Sequence, residues 1–264
     1  MRSLGFLVPL LTLPLIAGPL SAAEKNFGPF DQASTVIESF AGIVLVDIGD
    51  EPGIRASLDG PDDAIEEISV SERGGTITIT GRQTGGSSSV TSVGNTTVVV
   101  TGNGSASVTI GNVTTTADGV DDEPVTLRLT VPNGTPLTFD RFAGKATIGD
   151  TGASLTVDLL SGTVEAGAVT EASLTINGSG DIRLRRAAGA LAMTVNGSGS
   201  IDVADGAVGD LTGRINGSGT LRFDGRAETA EVAINGAGTV ELAHVDAEPR
   251  THLAGAGRIS VGNW

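Results

Sequence analysis

Side chains able to do chemistry are sparse in this sequence, and each candidate competes with a structural use. Histidine occurs twice, at His244 and His252, and cysteine is absent. A zinc set of imidazoles and thiolates therefore lacks its thiolates, and both histidines read as solvated side chains. Gly178-Ser179-Gly180 places a serine between glycines, as a nucleophile elbow does. It is, however, one of several near-identical segments, and no base and acid stand out to complete a triad. Asn177-Gly178-Ser179, Asn196-Gly197-Ser198 and Asn216-Gly217-Ser218 match the glycosylation acceptor pattern. Asn235-Gly236-Ala237 drops the hydroxyl and keeps Asn-Gly, so what recurs is a turn. Gly178-Ser179-Gly180-Asp181 is similar to calcium-binding β-roll repeats, but those demand an aspartate about every nine residues. Here that column reads Asp181, Ser200, Thr220, Thr239 and Arg258. The acidic runs Asp59 to Glu67 and Asp118 to Glu123 have the oxygen chemistry for calcium. Carboxylate pairs, the apparatus of glycoside hydrolysis, also come into question on the repeat strands. No residue is assigned a catalytic, cofactor-binding or metal-binding role.

The elements that must position these groups begin after Ala23. Arg2, the apolar stretch Leu4 to Leu20 and the small residues Ser21-Ala22-Ala23 follow the order of a secretory signal peptide. Cleavage after Ala23 is expected, and the chain is expected to be exported, to the periplasm or to the cell surface and beyond. Later stretches lack the length and apolarity of a membrane span. With no cysteine, neither disulfides nor a lipid-bearing cysteine is available. The 264 residues carry 16 basic and 31 acidic side chains; loss of Arg2 leaves 15 against 31, a net charge of −16. That excess makes nucleic acid and anionic membrane surfaces poor partners, so no nucleic-acid partner is expected, and it serves solubility. There is no Tyr, one Trp and seven Phe, so Val, Ile, Leu and Ala must fill the core, while 39 Gly announce dense turns.

Residues 24–82 read as short strands: Gly42 to Gly49, Ile54 to Leu58, and a hairpin pairing Ile68 to Val70 with Thr76 to Thr80 around Arg73-Gly74-Gly75. Asp62 to Glu67 has the composition for one helical turn. Residues 83–123 form a Ser/Thr/Gly-rich insert in which Val98 to Val100 and Val108 to Ile110 are candidate strands.

Residues 124–264 are a repeat array. Asn177, Asn196, Asn216 and Asn235 each sit in an apolar-Asn-Gly-Ser/Ala-Gly segment, and their numbers differ by 19, 20 and 19. Leu253-Ala254-Gly255-Ala256-Gly257 is a degenerate fifth. A fixed period near 20 is the signature of a solenoid. Two residues after the second glycine stand Val164, Ile182, Ile201, Leu221, Val240 and Ile259; four after it stand Ala166, Leu184, Val203, Phe223, Leu242 and Val261. This period of two makes both columns inward-facing on a strand. The outward position between them reads Glu165, Arg183, Asp202, Arg222, Glu241, Ser260. Its alternating sign suits parallel, in-register rungs about 4.8 Å apart. Upstream of each asparagine lie two further apolar columns, Ile176, Val195, Ile215, Ile234, Leu253 and Leu174, Met193, Val232. Each buried aliphatic contributes roughly 1.5–3 kcal/mol, enough to order a coil only when its neighbours are stacked on it. Stacked asparagines can hydrogen-bond along the axis. The register continues upstream through Gly162 and Gly144, giving about seven coils, and Trp264 is expected to cap the open edge.

The Asn-Gly-Ser-Gly repeats, the strand Leu127 to Pro132 before them and the strands from Phe27 to Arg82 resemble the GIN-domain family, the head domains of auto-transporter adhesins. That resemblance implies an adhesin-like head. Together with the residues it yields the expected fold class, which is all-β. It is a parallel β-solenoid (β-helix) of about 19–20 residues per coil, preceded by short N-terminal strands. The expected function is an exported, non-catalytic envelope or surface module whose partner is a surface protein or a glycan. The competing expectation is a carbohydrate-active enzyme, a polysaccharide lyase or hydrolase on the same scaffold. A carboxylate cluster in a groove, outside the charge ladder, would favour that second reading.

Overall fold

The computed structural model describes residues 23–31, 33–81, 89–93, 96–100, 106–110, 113–117 and 124–263. In chain order its elements are β1 (Ala23–Phe30), β2 (Ser34–Glu38), β3 (Ala41–Gly49), β4 (Ile54–Gly60), α1 (Asp62–Glu66), β5 (Ser69–Arg73) and β6 (Thr76–Thr80). There follow β7 (Ser89–Val93), β8 (Thr96–Val100), β9 (Ala106–Ile110) and β10 (Val113–Ala117). The array contributes β11 (Thr126–Pro132), β12 (Leu137–Ile148), β13 (Ser154–Val169), β14 (Glu171–Gly197) and β15 (Ser200–Val203). It closes with β16 (Gly206–Gly217), β17 (Thr220–Gly236), β18 (Thr239–Val245), β19 (Arg250–Gly255) and β20 (Arg258–Asn263). The candidate strands Val98 to Val100 and Val108 to Ile110 fall in β8 and β9, which pair antiparallel with β7 and β10 respectively.

From β12 onward the chain winds as a parallel solenoid of about seven coils. Both aliphatic columns of the sequence face inward: Val164, Ile182, Ile201, Leu221 and Val240 are 0% exposed. Neighbouring rungs pair residue for residue, as in Ser200↔Thr220, Ile201↔Leu221, Asp202↔Arg222 and Val203↔Phe223.

The repeated glycines have distinct reasons. Gly217 has φ +139°, and a Cβ there would lie 2.3 Å from the carbonyl oxygen of Gly197 on the coil above. Rungs approach too closely at this corner for any side chain. At Gly219 a Cβ would lie 2.5 Å from Val195 Cγ1, so this glycine makes room for the buried aliphatic of the previous coil. The same two clashes recur one coil later at Gly236 and Gly238.

The N-terminal strands close the top of the solenoid, hydrogen-bonded into the same 16-stranded sheet. β3 lies parallel to both β11 and β12, while β4 runs antiparallel to β11 and β1. β2 is parallel to β12 and to β6, and β5 folds back on β6. The β5–β6 turn has Gly74 at φ +59° and Gly75 at φ +83°. Positive φ at both central residues gives the hairpin turn whose twist matches the strands. Asp62 and Asp63 lie in the first turn of α1, where the helix dipole favours acidic residues. The rings gather under this cap: Phe40, Phe139 and Phe142 are buried, the last two edge to face with centroids 5.4 Å apart. Phe223 is the buried ring of the lower coils. Trp264 and the apolar stretch Leu4 to Leu20 of the expected export signal lie outside the described residues.

Candidate functional site

In-register stacking turns single outward residues into files. Ser71 pairs with Thr78, Thr78 with Val36, Val36 with Thr138, Thr138 with Thr156, and Thr156 with Ser173. Below, Ala192 pairs with Thr212, Thr212 with Glu231, and Glu231 with Arg250. One continuous face thus runs from the N-terminal hairpin to the last coil, most of it bearing hydroxyls. Its inward neighbours, such as Leu155, Leu191 and Leu211, are buried, so the face has a rigid aliphatic backing.

On this face lies a shallow groove of about 260 Å³. Ala190 and Ala192 form part of its lining, as do Glu171 and Ser173 from the coil above and Asp210 and Thr212 from the coil below. The depression exists because two alanines stand in files otherwise filled by larger residues. Asp210 Oδ1 accepts a hydrogen bond from Thr229 Oγ1 at 2.8 Å. Glu171 has no side-chain hydrogen bond or ion pair among the described residues. Rungs are about 4.8 Å apart, so Glu171 and Asp210 stand on backbones separated by about 9.6 Å. A retaining glycosidase needs its carboxyl groups about 5–5.5 Å apart and an inverting one about 6.5–9.5 Å. The groove is open rather than enclosing, and its chemistry is that of hydroxyls, methyls and two carboxylates. Sequence reasoning singled out neither carboxylate. The signal was present: the residues six before Asn177, Asn196, Asn216 and Asn235 are Glu171, Ala190, Asp210 and Thr229.

The residues singled out from the sequence have structural partners. The asparagines form the expected ladder along one edge of the face. Asn196 Nδ2 donates to Asn177 Oδ1 at 2.8 Å, Asn216 to Asn196 at 2.8 Å, and Asn235 to Asn216 at 3.1 Å. Asn177 Nδ2 in turn donates to Asp158 Oδ1 at 2.7 Å. All the amides point their donors the same way, and a carboxylate terminates the chain, the charge-assisted end of a mutually polarising series.

The charge ladder keeps its register but not all its contacts. Glu165 pairs with Arg183, Arg183 with Asp202, and Arg222 with Glu241. Among the described residues the one ladder contact within 4.0 Å is Arg222–Glu241, at 3.7 Å. Arg222 Nε instead donates to both oxygens of Asp224, two residues along its own strand, at 3.0 and 2.9 Å. This one N–H, shared between the two oxygens of a carboxylate on the same strand, lies closer than the cross-rung contact, and that carboxylate raises the guanidinium pKa. Tighter pairs lie at the coil corners, where no periodic pattern marks them: Arg185–Asp150, Arg186–Asp205 and Arg226–Asp246. Hydrogen bonds from Arg185 and from the Ala168 N–H hold the Asp150 carboxyl below the usual range. Asp205 is lowered likewise by Arg186 and the Gly206 N–H, and Asp246 by Arg226 and then His244.

His244 Nε2 lies 3.0 Å from Asp246 Oδ1, and His252 is exposed on β19. No group of three or more His, Asp or Glu converges on a metal position among the described residues. Of the acidic runs, Asp59 to Glu67 belongs to β4 and α1, and Asp118 to Glu123 lies outside the described residues. No helix is long and apolar enough to cross a membrane among the described residues.

Comparison with known proteins adds a family. The family model described as "Putative auto-transporter adhesin, head GIN domain" matches residues 35–263. Among solved structures, a "putative adhesin" from Bacteroides fragilis superposes with a TM-score of 0.62 at 14% identity, over 91% of this chain and 97% of that one. A "Putative lipid binding protein" from Parabacteroides distasonis gives 0.58 at 16% identity, over 92% and 98%. A "putative adhesin" from the same species gives 0.53 at 12% identity, over 92% and 98%. Among curated proteins, none matches. At these identities the structures share the fold.

Proposed function

This chain belongs to the family described as "Putative auto-transporter adhesin, head GIN domain", and from that premise we propose that it is an exported, non-catalytic binding module of the cell envelope or surface. Its partner is a glycan or surface protein, held along the hydroxyl-bearing face. The single observation behind this reading is the groove centred on Ala190 and Ala192, set in a rigid face that runs the length of the molecule. A flat surface of Ser, Thr, Asn and Ala matches a polymer laid across it better than a small molecule that must be enclosed. The name of the lipid-binding neighbour suggests an apolar ligand. Here, however, the interior Ile, Leu and Val side chains are packed against each other at 0–3% exposure through the central coils. Export rests on the N-terminal segment Met1 to Ala23, and the site of action is the periplasm or the outer surface.

The experiment is adhesion of purified protein to cells and to immobilised envelope glycans, comparing wild type with Ala192→Trp. The substitution is at a half-buried surface position, so folding should persist while the groove is filled. Equal adhesion by a folded Ala192→Trp protein removes the groove from the reading. The enzyme alternative keeps one foothold, the Glu171 and Asp210 carboxylates in that groove. Assays for reducing ends and unsaturated products on acidic and neutral polysaccharides address it directly. Product formation abolished by Glu171→Gln in a folded protein would establish a hydrolase or lyase instead.

A further inference from the structure

Resting on the glycan-binding reading of the face, we propose that the groove takes an amine-bearing polysaccharide, an extended chain of de-acetylated hexosamine units. Its ammonium groups meet Glu171 and Asp210.

The charge pattern leads to this ligand. The acidic side chains at the coil corners have arginine partners: Asp150 with Arg185, Asp205 with Arg186, Asp246 with Arg226. The groove has no basic residue in its lining. Glu171 is without a hydrogen-bond or ion-pair partner among the described residues, and Asp210 uses one oxygen for the Thr229 hydroxyl, leaving the other. Two carboxylates in one depression without a local cation favour a cationic ligand, and the net charge of −15 for the whole chain reinforces that preference at long range.

Spacing narrows the class further. Glu171 and Asp210 stand on backbones two rungs apart, about 9.6 Å along the stack. No third His, Asp or Glu joins them in a possible metal site among the described residues, whereas calcium takes about six to eight oxygen ligands. An extended β-1,4-linked hexose chain turns the same face toward a surface at every second unit, a repeat close to two rungs. A hexosamine chain lying along the stack therefore brings one amine to Glu171 and the next same-facing amine to Asp210. The alanines between them leave room for the intervening ring. The hydroxyls of Ser173 and Thr212 can donate to and accept from sugar hydroxyls. At about 260 Å³ the groove falls below the range of about 300–1,000 Å³ typical of enclosed small-molecule sites, as suits one segment of a longer chain.

The test measures binding of the full chain to four probes at mildly acidic pH: glucosamine hexamer, N-acetylglucosamine hexamer, glucose hexamer and hexalysine. The glucosamine hexamer should bind about tenfold tighter than the acetylated and neutral hexamers, and less so in high salt. Glu171→Gln and Asp210→Asn should each weaken it by about two- to fivefold, the range of an exposed ion pair, and the double variant should erase the preference for amine. Circular dichroism checks that each variant is folded. Equal affinity for amine and acetyl forms, or an undiminished preference in the double variant, overturns the proposal. So does hexalysine binding as tightly as the glucosamine hexamer, since the groove would then read charge without the sugar. If the neutral or acetylated hexamer binds equally well and Ala192→Trp abolishes that binding, the amine inference fails while the glycan-binding face stands. If no hexamer binds, the amine inference fails, and adhesion to whole cells decides the broader reading separately.

Discussion

Replacing Gly217 by alanine probes the contact on which the stack depends. The added Cβ would lie 2.3 Å from the Gly197 carbonyl oxygen, where real Cβ contacts stay above 3.0 Å. The two rungs must therefore part by about 0.7 Å at this corner. The hydrogen bond from Ser218 N to that same oxygen, now 2.9 Å, would stretch to about 3.6 Å and cease to count as one. Its loss removes about 0.5–1.5 kcal/mol, and a non-glycine residue at this backbone conformation costs a further 1–3 kcal/mol or so. A total of about 1.5–4.5 kcal/mol follows, before any loosening of the aliphatics behind the corner. Gly74→Ala is the control: φ is +59° and nothing lies within 4 Å of the new methyl, so backbone strain of about 1–2 kcal/mol is all it should lose. Urea denaturation followed by far-ultraviolet circular dichroism compares the two variants. Because stacked repeats can open locally, hydrogen exchange over residues 197–218 should accompany it, with lost protection concentrated there in Gly217→Ala. Equal denaturation midpoints for the two variants, with unchanged exchange at that corner, would refute the close-packed glycine stack.

Asn196→Ala removes two amide hydrogen bonds and Asn235→Ala one. On these exposed amides the first should lose about 1 kcal/mol and the second roughly half as much; equal losses in urea titrations would deny the ladder any energetic role. Arg222→Glu sets a carboxylate beside Asp224 and between the rungs of Asp202 and Glu241. It should lower the denaturation midpoint at low salt and do so less at high salt, and a salt-independent change would point to packing rather than charge. Asp150, Asp205 and Asp246 titrate below their ordinary value of 3.8 in the folded chain. A depressed carboxylate pKa stabilises fully above the unfolded value, and that contribution is lost as pH falls through the folded one. Stability from these groups should be level down to about pH 5 and decline below about pH 4. The Asp150→Asn, Asp205→Asn double variant, followed by thermal melts across that window, should show a shallower acid-side decline than wild type.

The solenoid was legible from the sequence because a solenoid is nearly one-dimensional. Each coil meets the coils directly above and below, so one fixed period and a strict alternation along each strand suffice to put Ile182, Ile201, Leu221 and Val240 in one buried file. The Asn ladder followed from the same alignment, since equal spacing brings equal side chains together. Other features depended on contacts that no period encodes. β2 and β6 join the hydroxyl-bearing face by pairing with strands far away in the sequence, and nothing repetitive in Ser34 to Glu38 marks that. Arg222 makes its closest bonds to Asp224 and only a longer contact to its rung neighbour Glu241, because the choice among nearby carboxylates is one of side-chain geometry. The file of Glu171, Ala190, Asp210 and Thr229 was readable as an alignment column, but that it borders a groove was not. Depth there comes from the small volume of Ala190 and Ala192 relative to the side chains on the rungs around them, a property of the assembled face that no coil has by itself.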